Sequence, residues 1–183
     1  MKEKSLRPSD MVLNEVYFWT STILSWTHLL KEDSYKLIIT GSLKNLVDRG
    51  FIKVYGFVIM PNHIHLIWEL IKVNKKELPD SSFTKFTAHE FKKELLSKQP
   101  DLLPTFKVSL HDRDYQFWMR DPLAIYLNDK DILLQKLEYL HLNPLQEKWS
   151  LAKRPEHYHW SSAKFYETGI DDFGFLTHFS EKV

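Results

Sequence analysis

The most regular pattern in the chain is an alternation of polar and apolar side chains over residues 63–70. Successive side chains of a β-strand point to opposite faces, so the pattern puts His63 and His65 on one face and Ile64 and Leu66 on the other. The apolar face suits packing against helices, which leaves the imidazole face for a ligand. Two imidazoles at this spacing, about 6–7 Å between Cα atoms, suit one divalent ion. A solvated polar face is the alternative interpretation.

The same reasoning predicts three more strands. β-Branched and aromatic residues indicate a first strand over 15–26 and a second over 51–57. A turn at 60–62 folds the second strand back against the histidine strand, so these two strands should pair antiparallel. A further strand lies at 106–110 or at 123–127, and the second position is favoured because it directly precedes a helix.

Two amphipathic helices lie between these strands. Ser34 is a suitable N-cap for the first helix, which ends near Arg49, and Ser81 or Ser82 suits the second, which ends near Lys98. Apolar side chains recur at helical spacing in each helix and are expected in the core. They are Leu37, Ile38, Leu43, Leu46 and Val47 in the first helix and Phe83, Phe86, Phe91, Leu95 and Leu96 in the second.

A third helix begins near Asn128 or Asp129, both good N-caps, and ends where Pro144 prevents its continuation. Its core-facing stripe consists of Leu133, Leu137 and Leu140. Tyr139 and Asn143 are four residues apart, so they share another side of this helix, at the edge of the packed stripe.

The order strand, helix, strand, strand, helix, strand predicts an α+β fold with a ferredoxin-like (split βαβ) antiparallel sheet. In that arrangement two helices cover one sheet face and the other face stays open, which agrees with the two-faced histidine strand. The third helix then carries Tyr139, the candidate catalytic residue. We expect a single domain over residues 1–183, with a core over about 15–166 and a tail over 167–183 that is a mobile end or a partner contact.

Composition narrows the class of protein. With 43% hydrophobic residues among 183, the chain is able to bury a large core, and the absence of cysteine excludes disulfides and thiolate zinc sites. No run of about 18 apolar residues is present, so no membrane association is expected. The first residues lack the apolar run of a secretory signal. These features favour the cytoplasm.

The formal net charge of +1 is low for a protein that binds duplex DNA, so any basic surface must be local. The outer side of the second helix carries Lys85, Lys92 and Lys93, which are candidates for contact with a phosphate backbone. Arg120 is a further candidate. A solvated lysine face is the alternative interpretation.

A divalent ion held by His63 and His65 without a carboxylate keeps most of its charge, which suits it to polarise a phosphate oxygen. Asn143 is a candidate third ligand, and the shared helix side then brings the Tyr139 phenol beside the bound phosphate as a nucleophile. The alternatives are that Tyr139 packs its ring on the sheet with its hydroxyl in water, and that Asn143 only caps the helix.

Other residues compete for these roles. Tyr115 and Tyr126 are rival phenols, although neither has an amide or imidazole at helical spacing. His157 and His159 form a second alternating pair, but Pro155 and the following serines indicate a loop there. The pair in the regular strand is therefore preferred as the metal site.

Three segments together resemble the REP-associated tyrosine transposases, within the single-tyrosine HUH transposases that act on single-stranded DNA. The segments are residues 60–66 (Met-Pro-Asn-His-Ile-His-Leu), 139–145 (Tyr-Leu-His-Leu-Asn-Pro-Leu) and 158–162 (Tyr-His-Trp-Ser-Ser), followed by Tyr166. They are similar to the family's histidine-hydrophobic-histidine signature, its Tyr-x-x-x-Asn-Pro segment and its Trp-Ser-Ser stretch. One departure lies at 118–124, where family members usually carry a more polar, often histidine-containing segment.

The resemblance implies a ferredoxin-like fold, often dimeric, that acts on single-stranded or hairpin DNA. It implies that His63, His65 and Asn143 hold Mg²⁺ or Mn²⁺. It also implies that Tyr139 attacks the scissile phosphate, leaving a 5′-phosphotyrosine and a free 3′ hydroxyl. We therefore expect a DNA strand transferase. Two alternatives stay open: a domesticated module that binds DNA hairpins without cleaving them, and a metallohydrolase, which would lack a carboxylate base near the histidines.

Overall fold

The computed structural model describes residues 10–182. The first residues, for which the sequence predicts no secretory signal, and Val183 lie outside the described residues. The strands are β1 (Val16–Thr22), β2 (Ile52–Ile59), β3 (His63–Leu70), β4 (Lys107–Leu110), β5 (Arg113–Tyr115) and β6 (Leu123–Tyr126). The helices are α1 (Asp33–Asp48), α2 (Pro79–Lys98), α3 (Lys130–Leu142) and α4 (Ala163–Thr168), with short 3₁₀ turns between elements.

Four strands form one antiparallel sheet in the order β2-β3-β1-β6. This is the order of a ferredoxin-like, split βαβ fold, so the predicted fold class is confirmed. Both candidate positions for the fourth strand are strands. The favoured one, β6, joins this sheet, whereas β4 pairs with β5 in a separate hairpin.

The first strand is shorter than predicted. β1 ends at Thr22, and Leu24–Trp26 form a 3₁₀ turn in which Ser25 and Trp26 have φ angles of 55° and 58°. A strand cannot continue through such left-handed residues, because extended backbone needs a negative φ.

Helices α1 and α2 cover one face of the sheet. The ring centroid of Phe83 in α2 lies 6.0 Å from that of Trp19 and 6.2 Å from that of Trp68, so these side chains of β1 and β3 point toward the helices. Tyr35 of α1 meets Phe91 of α2 at 5.5 Å between ring centroids. The alternation predicted for β3 is confirmed, and its two histidines face away from both helices.

Both of these helices begin elsewhere than predicted. α1 starts after Glu32 rather than Ser34, and α2 starts with Pro79 rather than after Ser81 or Ser82. No N-cap side chain makes a capping hydrogen bond in either helix. Proline suits the first turn of a helix because the N–H that it lacks would have no partner there.

Helical spacing overstates the width of the buried stripes. Leu37 in α1 and Phe86 and Leu96 in α2 are 60%, 52% and 53% exposed, contrary to the prediction. The other side chains of the two stripes are buried or half-buried. The edge of a stripe is buried only where a neighbouring element reaches it, and no element in the described part of the chain covers these three positions.

Helix α3 lies on the histidine face of the sheet, against β2 and β3. Asp129, one of the two predicted alternatives, is its N-cap and accepts hydrogen bonds from the backbone N–H of Asp131 at 2.7 Å and of Ile132 at 3.3 Å. Its predicted core stripe is buried. The histidine face was expected to stay open, but α3 covers part of it, since Leu137 packs directly over Gly56 of β2.

The C-terminal tail packs against the sheet, so the prediction of a mobile end is wrong for its described part. Its backbone pairs with the outer edge of β2, where the Thr177 N–H donates to the carbonyl of Val54 at 2.9 Å. Phe175 is buried, with its ring centroid 5.3 Å from that of Phe57. The tail thus satisfies backbone groups that an outer strand would otherwise leave unpaired.

Candidate active site

The histidine pair of β3 forms the centre of the candidate site. The ring centroids of His63 and His65 lie 4.8 Å apart, and the two residues are only 7% and 6% exposed. Phe18 of β1 stacks on His65 at 5.1 Å, and Trp149, in the turn after α3, meets His63 at 5.9 Å. Aromatic rings therefore wall the pair, and the alternative of a solvated polar face is wrong.

An oxygen from a neighbouring residue holds the Nδ1 atom of each histidine. Asn62 Oδ1 lies 2.6 Å from Nδ1 of His63, and Thr20 Oγ1 lies 2.7 Å from Nδ1 of His65. Asn62 also donates from Nδ2 to the carbonyl of Trp26 at 3.2 Å, which turns its oxygen toward His63. Because an amide oxygen only accepts, Nδ1 of His63 carries the proton and Nε2 keeps its lone pair.

The Nε2 atom of His65 is buried and has no hydrogen-bond partner in the described part of the chain. A buried polar atom without a partner is costly and needs a reason. Histidines that bind metal ions do so through one nitrogen while an oxygen holds the other, which is how both Nδ1 atoms are held here. The arrangement therefore fits a cation bound at the two Nε2 atoms.

Burial keeps both imidazoles neutral. It lowers the pKa of His63 to about 4, with a smaller contribution from the charge of Lys148. It lowers the pKa of His65 to about 3, with smaller contributions from His63 and Lys136. At neutral pH both rings are therefore in the unprotonated form that binds metal ions.

Tyr139 reaches the pair from α3. Its ring centroid lies 5.6 Å from that of His65 and 6.0 Å from that of Phe18, and the residue is 44% exposed. The ammonium of Lys136, one turn earlier, lies 6.0 Å from the Tyr139 ring centroid. The phenol and the imidazoles thus meet on one surface within a single chain, so no second copy is needed to bring them together.

Asn143 follows four residues after Tyr139 and is 2% exposed. Its backbone N–H donates to the carbonyl of Tyr139, so it does act as the C-cap of α3. Its side-chain amide makes no hydrogen bond within residues 10–182. An amide that makes no hydrogen bond to the protein is free to supply an oxygen ligand, and that role for Asn143 stays a prediction.

Lys136, beside the Tyr139 ring, was not predicted from the sequence. Four residues around the histidine pair were not predicted either, namely Phe18, Thr20, Asn62 and Trp149. Thr20 lies opposite His65 because of the register between β1 and β3. A register is set by tertiary pairing and leaves no local signal. For Asn62 the available signal was its place directly before His63. Trp149 lies beyond the proline that ends α3, where the sequence has no periodic pattern.

The rival phenols and the second histidine pair lie elsewhere. The Tyr126 hydroxyl donates to Glu15 at 2.8 Å, and Tyr115 lies in the β4–β5 hairpin. His157 ends a 3₁₀ turn, and His159 packs on aromatic side chains of the C-terminal part of the chain. None of them contacts the rings of the β3 pair, so the geometry favours the residues preferred from the sequence.

The candidate DNA-binding lysines lie on α2, on the side of the sheet away from the histidines. Lys85 pairs with Glu77, and Lys93 pairs with Glu90 at 2.7 Å. The ammonium of Lys92 lies over the ring of an aromatic residue of β5, 4.3 Å from its centroid. These contacts are those of an ordinary solvated helix face, and they account for the positions of the three lysines without DNA. Contact between these lysines and DNA stays a prediction.

Arg120 lies in a groove of about 1060 Å³ between α2, the β4–β5 hairpin and the loop before β6. Arg113 and Lys85 also line this groove, but so do Asp80 and Asp112. The groove therefore has mixed charge and does not form a continuous basic track for a phosphate backbone.

The donor set at the histidine centre contains no carboxylate. Among residues 10–182, no group of three or more His, Cys, Asp or Glu side chains is placed to hold a metal ion. A cation here would rest on the two imidazoles, with the amide oxygen of Asn143 as the candidate third protein ligand. Neutral donors of this kind leave the charge of the ion undiminished.

The chain is similar in structure to a REP-associated tyrosine transposase that was solved bound to a REP hairpin. The two structures have a TM-score of 0.61 at 17% sequence identity, and the match covers 98% of this chain and 96% of that chain. This chain has the fold of that transposase. No protein-family model and no curated protein matches its sequence.

The fold that the three-segment resemblance implies is therefore confirmed over nearly the full length of both chains. Among residues 10–182, no helix combines the length and the apolar character needed to cross a membrane. The homodimer and the cytoplasmic location stay predictions.

Proposed function

We propose that this chain is a metal-dependent DNA strand transferase, which cleaves and rejoins single-stranded or hairpin DNA through a covalent phosphotyrosine at Tyr139. One observation carries the proposal. The Tyr139 ring lies 5.6 Å from His65, whose buried Nε2 has no partner among the described residues. This pairing occurs on a fold similar to that of a hairpin-bound transposase.

The two histidines and Asn143 would hold Mg²⁺ or Mn²⁺, which when bound supplies Lewis-acid polarisation of the scissile phosphate. Thr20 and Asn62 orient the imidazoles through their Nδ1 atoms, which leaves the Nε2 atoms for the metal ion. The surrounding aromatic rings limit the access of water to it.

Tyr139 acts as the nucleophile. Its hydroxyl oxygen forms a bond to phosphorus while the bond between phosphorus and the 3′ oxygen breaks, and the phenolic proton passes to solvent. The products are a 5′-phosphotyrosine and a 3′ hydroxyl that takes its proton from water. A 3′ hydroxyl then attacks the phosphorus and loses its proton to solvent, while the bond from phosphorus to the Tyr139 oxygen breaks and the phenol takes a proton from water, which rejoins a strand. Lys136, beside the phenol ring, supplies positive charge near the phosphate oxygens.

Formation of a covalent adduct tests this proposal. The purified protein is incubated with labelled single-stranded and hairpin oligonucleotides and Mg²⁺ or Mn²⁺, and a denaturing gel shows whether label stays on the protein. We expect an adduct from the wild type and none from Tyr139→Phe or His65→Ala. Tyr126→Phe removes a phenol of similar exposure, 47%, outside the site and should react like the wild type. An adduct that persists in Tyr139→Phe refutes the assignment.

A hairpin-binding module without cleavage activity is the second candidate. The observation in its favour is the burial of His63 and His65, which are 7% and 6% exposed, because burial restricts the approach of a phosphate to their Nε2 atoms. Hairpin binding without any adduct, for both metals and all oligonucleotides, would favour this module over the transferase.

A further inference from the structure

The loop that follows β1, residues 23–28, has an unusual and well-fixed backbone; we refer to it as the Trp26 loop. Ser25 and Trp26 both have positive φ angles, 55° and 58°, in direct succession. Residues with side chains rarely adopt this conformation, and it persists only where surrounding contacts hold it. Here the Ile23 N–H donates to the Asn62 carbonyl at 2.8 Å, and the Leu24 N–H donates to the Phe117 carbonyl at 2.7 Å.

The loop presents its tryptophan to solvent. Trp26 is 60% exposed, and among the described residues no ring or cation packs against its indole. The other five tryptophans are all buried or half-buried, as large aromatic side chains usually are. A held backbone that exposes a large flat ring is suited to binding another flat ring.

The Trp26 loop is attached to the candidate metal site. The carbonyl of Trp26 accepts a hydrogen bond at 3.2 Å from the same Asn62 amide whose oxygen lies 2.6 Å from Nδ1 of His63. Two residues after Trp26, the ring of His28 meets Trp149 at 5.8 Å, and Trp149 meets His63 at 5.9 Å. Two separate contacts thus tie this loop to the same imidazole.

The site consequently has two distinct ends. Tyr139 adjoins His65, and the Trp26 loop adjoins His63. A DNA strand whose scissile phosphate lies at the imidazoles, within reach of the phenol, passes beside the Trp26 loop on one side of that phosphate.

We propose that Trp26 is a stacking platform for one unpaired DNA base, which flanks the scissile phosphate at the His63 end of the site. This inference rests on the proposed function, since it takes single-stranded DNA as the substrate. Every base has a π-face and stacks on an exposed aromatic ring with little dependence on sequence. A backbone that is already fixed loses little further freedom when the base binds.

Binding of single-stranded oligonucleotides tests the inference, measured by fluorescence anisotropy in a Tyr139→Phe background that prevents cleavage. We expect Trp26→Ala to weaken affinity about tenfold, and Trp26→Phe to retain most of it, because phenylalanine keeps a stacking surface. Phe86→Ala is the matched control, since it removes an aromatic side chain that is 52% exposed on α2, across the sheet. Mn²⁺ affinity should be equal in all these variants, which shows that the imidazole pair is intact.

Abasic substitution identifies the stacked base. When each base of the oligonucleotide is removed in turn, the Tyr139→Phe protein should lose affinity at one position next to the scissile phosphate. The Trp26→Ala variant should show no further loss at that position. If Trp26→Ala binds as tightly as its parent, or keeps the same abasic loss, the inference is wrong, while adduct formation by the wild type still supports the transferase. If the wild type binds hairpin DNA but no single-stranded DNA, the inference alone is wrong; if it binds neither, both proposals are wrong.

Discussion

The side chain of Asn62 joins two parts of the site through one amide. Its oxygen lies 2.6 Å from Nδ1 of His63, and its nitrogen donates to the carbonyl of Trp26 at 3.2 Å. A carbonyl oxygen only accepts hydrogen bonds, so the amide nitrogen of Asn62 must face the carbonyl of Trp26, and this determines which way the amide is turned. The amide oxygen accepts only, so it determines which nitrogen of His63 carries the proton. A residue of the β2–β3 turn thus orients the first histidine and leaves its Nε2 available for the proposed metal ion.

We expect Asn62→Ala to weaken Mn²⁺ binding about 10–100-fold, because the imidazole loses the hydrogen bond that orients it. Asn62→Asp keeps an acceptor for Nδ1 and should lose less. Isothermal titration calorimetry of the metal-free protein with Mn²⁺ measures both affinities. Asn45→Ala, which removes an exposed amide on α1, is the control. Equal affinity in Asn62→Ala and the wild type would mean that this hydrogen bond does not orient the ligand.

At the scale of elements, Gly56 of β2 leaves room for the Leu137 side chain where α3 packs on the sheet. A Cβ atom at this position would lie 2.7 Å from Cδ1 of Leu137 and 3.5 Å from Oγ of Ser162. The first distance is well inside van der Waals contact, so a larger residue must displace the leucine. Tyr139 follows Leu137 by two residues, so we expect a larger residue at position 56 that displaces α3 to move the phenol relative to the histidines as well.

Gly56→Ala should lower the free energy of unfolding by about 1–3 kcal/mol, the usual cost of overpacking. Leu137→Ala should cost about 2–5 kcal/mol by itself. In the double variant the smaller side chain makes room for the new methyl group, so its loss should be less than the sum of the two single losses. Urea unfolding measures all three values, and adduct yield should fall in Gly56→Ala.

Gly41→Ala is the control for this pair. A Cβ at Gly41 meets nothing within 4 Å, and the residue lies inside α1, so alanine should stabilise the protein by about 0.5–1 kcal/mol. If the losses of Gly56→Ala and Leu137→Ala simply add, the two side chains do not compete for the same space, and the close approach of α3 has another cause.

The sequence predicted correctly those elements that are determined by residues close together in the chain. α3 begins at the Asp129 cap, and β3 shows its two faces in its own alternation. The start of α1 was predicted incorrectly, because a long-range contact holds it. Lys36, only 6% exposed, bonds Asp33 at 2.7 Å and lies over the ring of Trp160, which is more than a hundred residues away in the chain. No pattern within α1 shows that contact.

At the scale of the whole molecule, the C-terminal segment completes the outer edge of the sheet. β2 is an edge strand, and bridges join Val58 to Ser161 and Val54 to Leu176 along it. The hydroxyl of Ser162 also accepts a hydrogen bond from the Phe57 N–H at 3.0 Å. Apart from the short helix α4, the sequence of this segment has neither the period of a helix nor that of a strand, because its residues bind the edge one at a time. Its packing was therefore not predictable from its pattern.

Because this segment packs on the sheet, we expect the loss of one of its buried rings, that of Phe175, to lower the stability of the protein strongly. Phe175 is 2% exposed and packs against Phe57, so Phe175→Ala should lower the free energy of unfolding by about 3–5 kcal/mol in urea titrations. Phe86→Ala removes the same side chain from a position that is 52% exposed and should change it by less than about 0.5 kcal/mol. Equal urea midpoints for the two variants would mean that the segment adds little to the fold.

If the segment does protect the edge, partial release of it in Phe175→Ala also exposes backbone groups of β2. We therefore expect that variant to associate at concentrations where Phe86→Ala stays dispersed in sedimentation velocity.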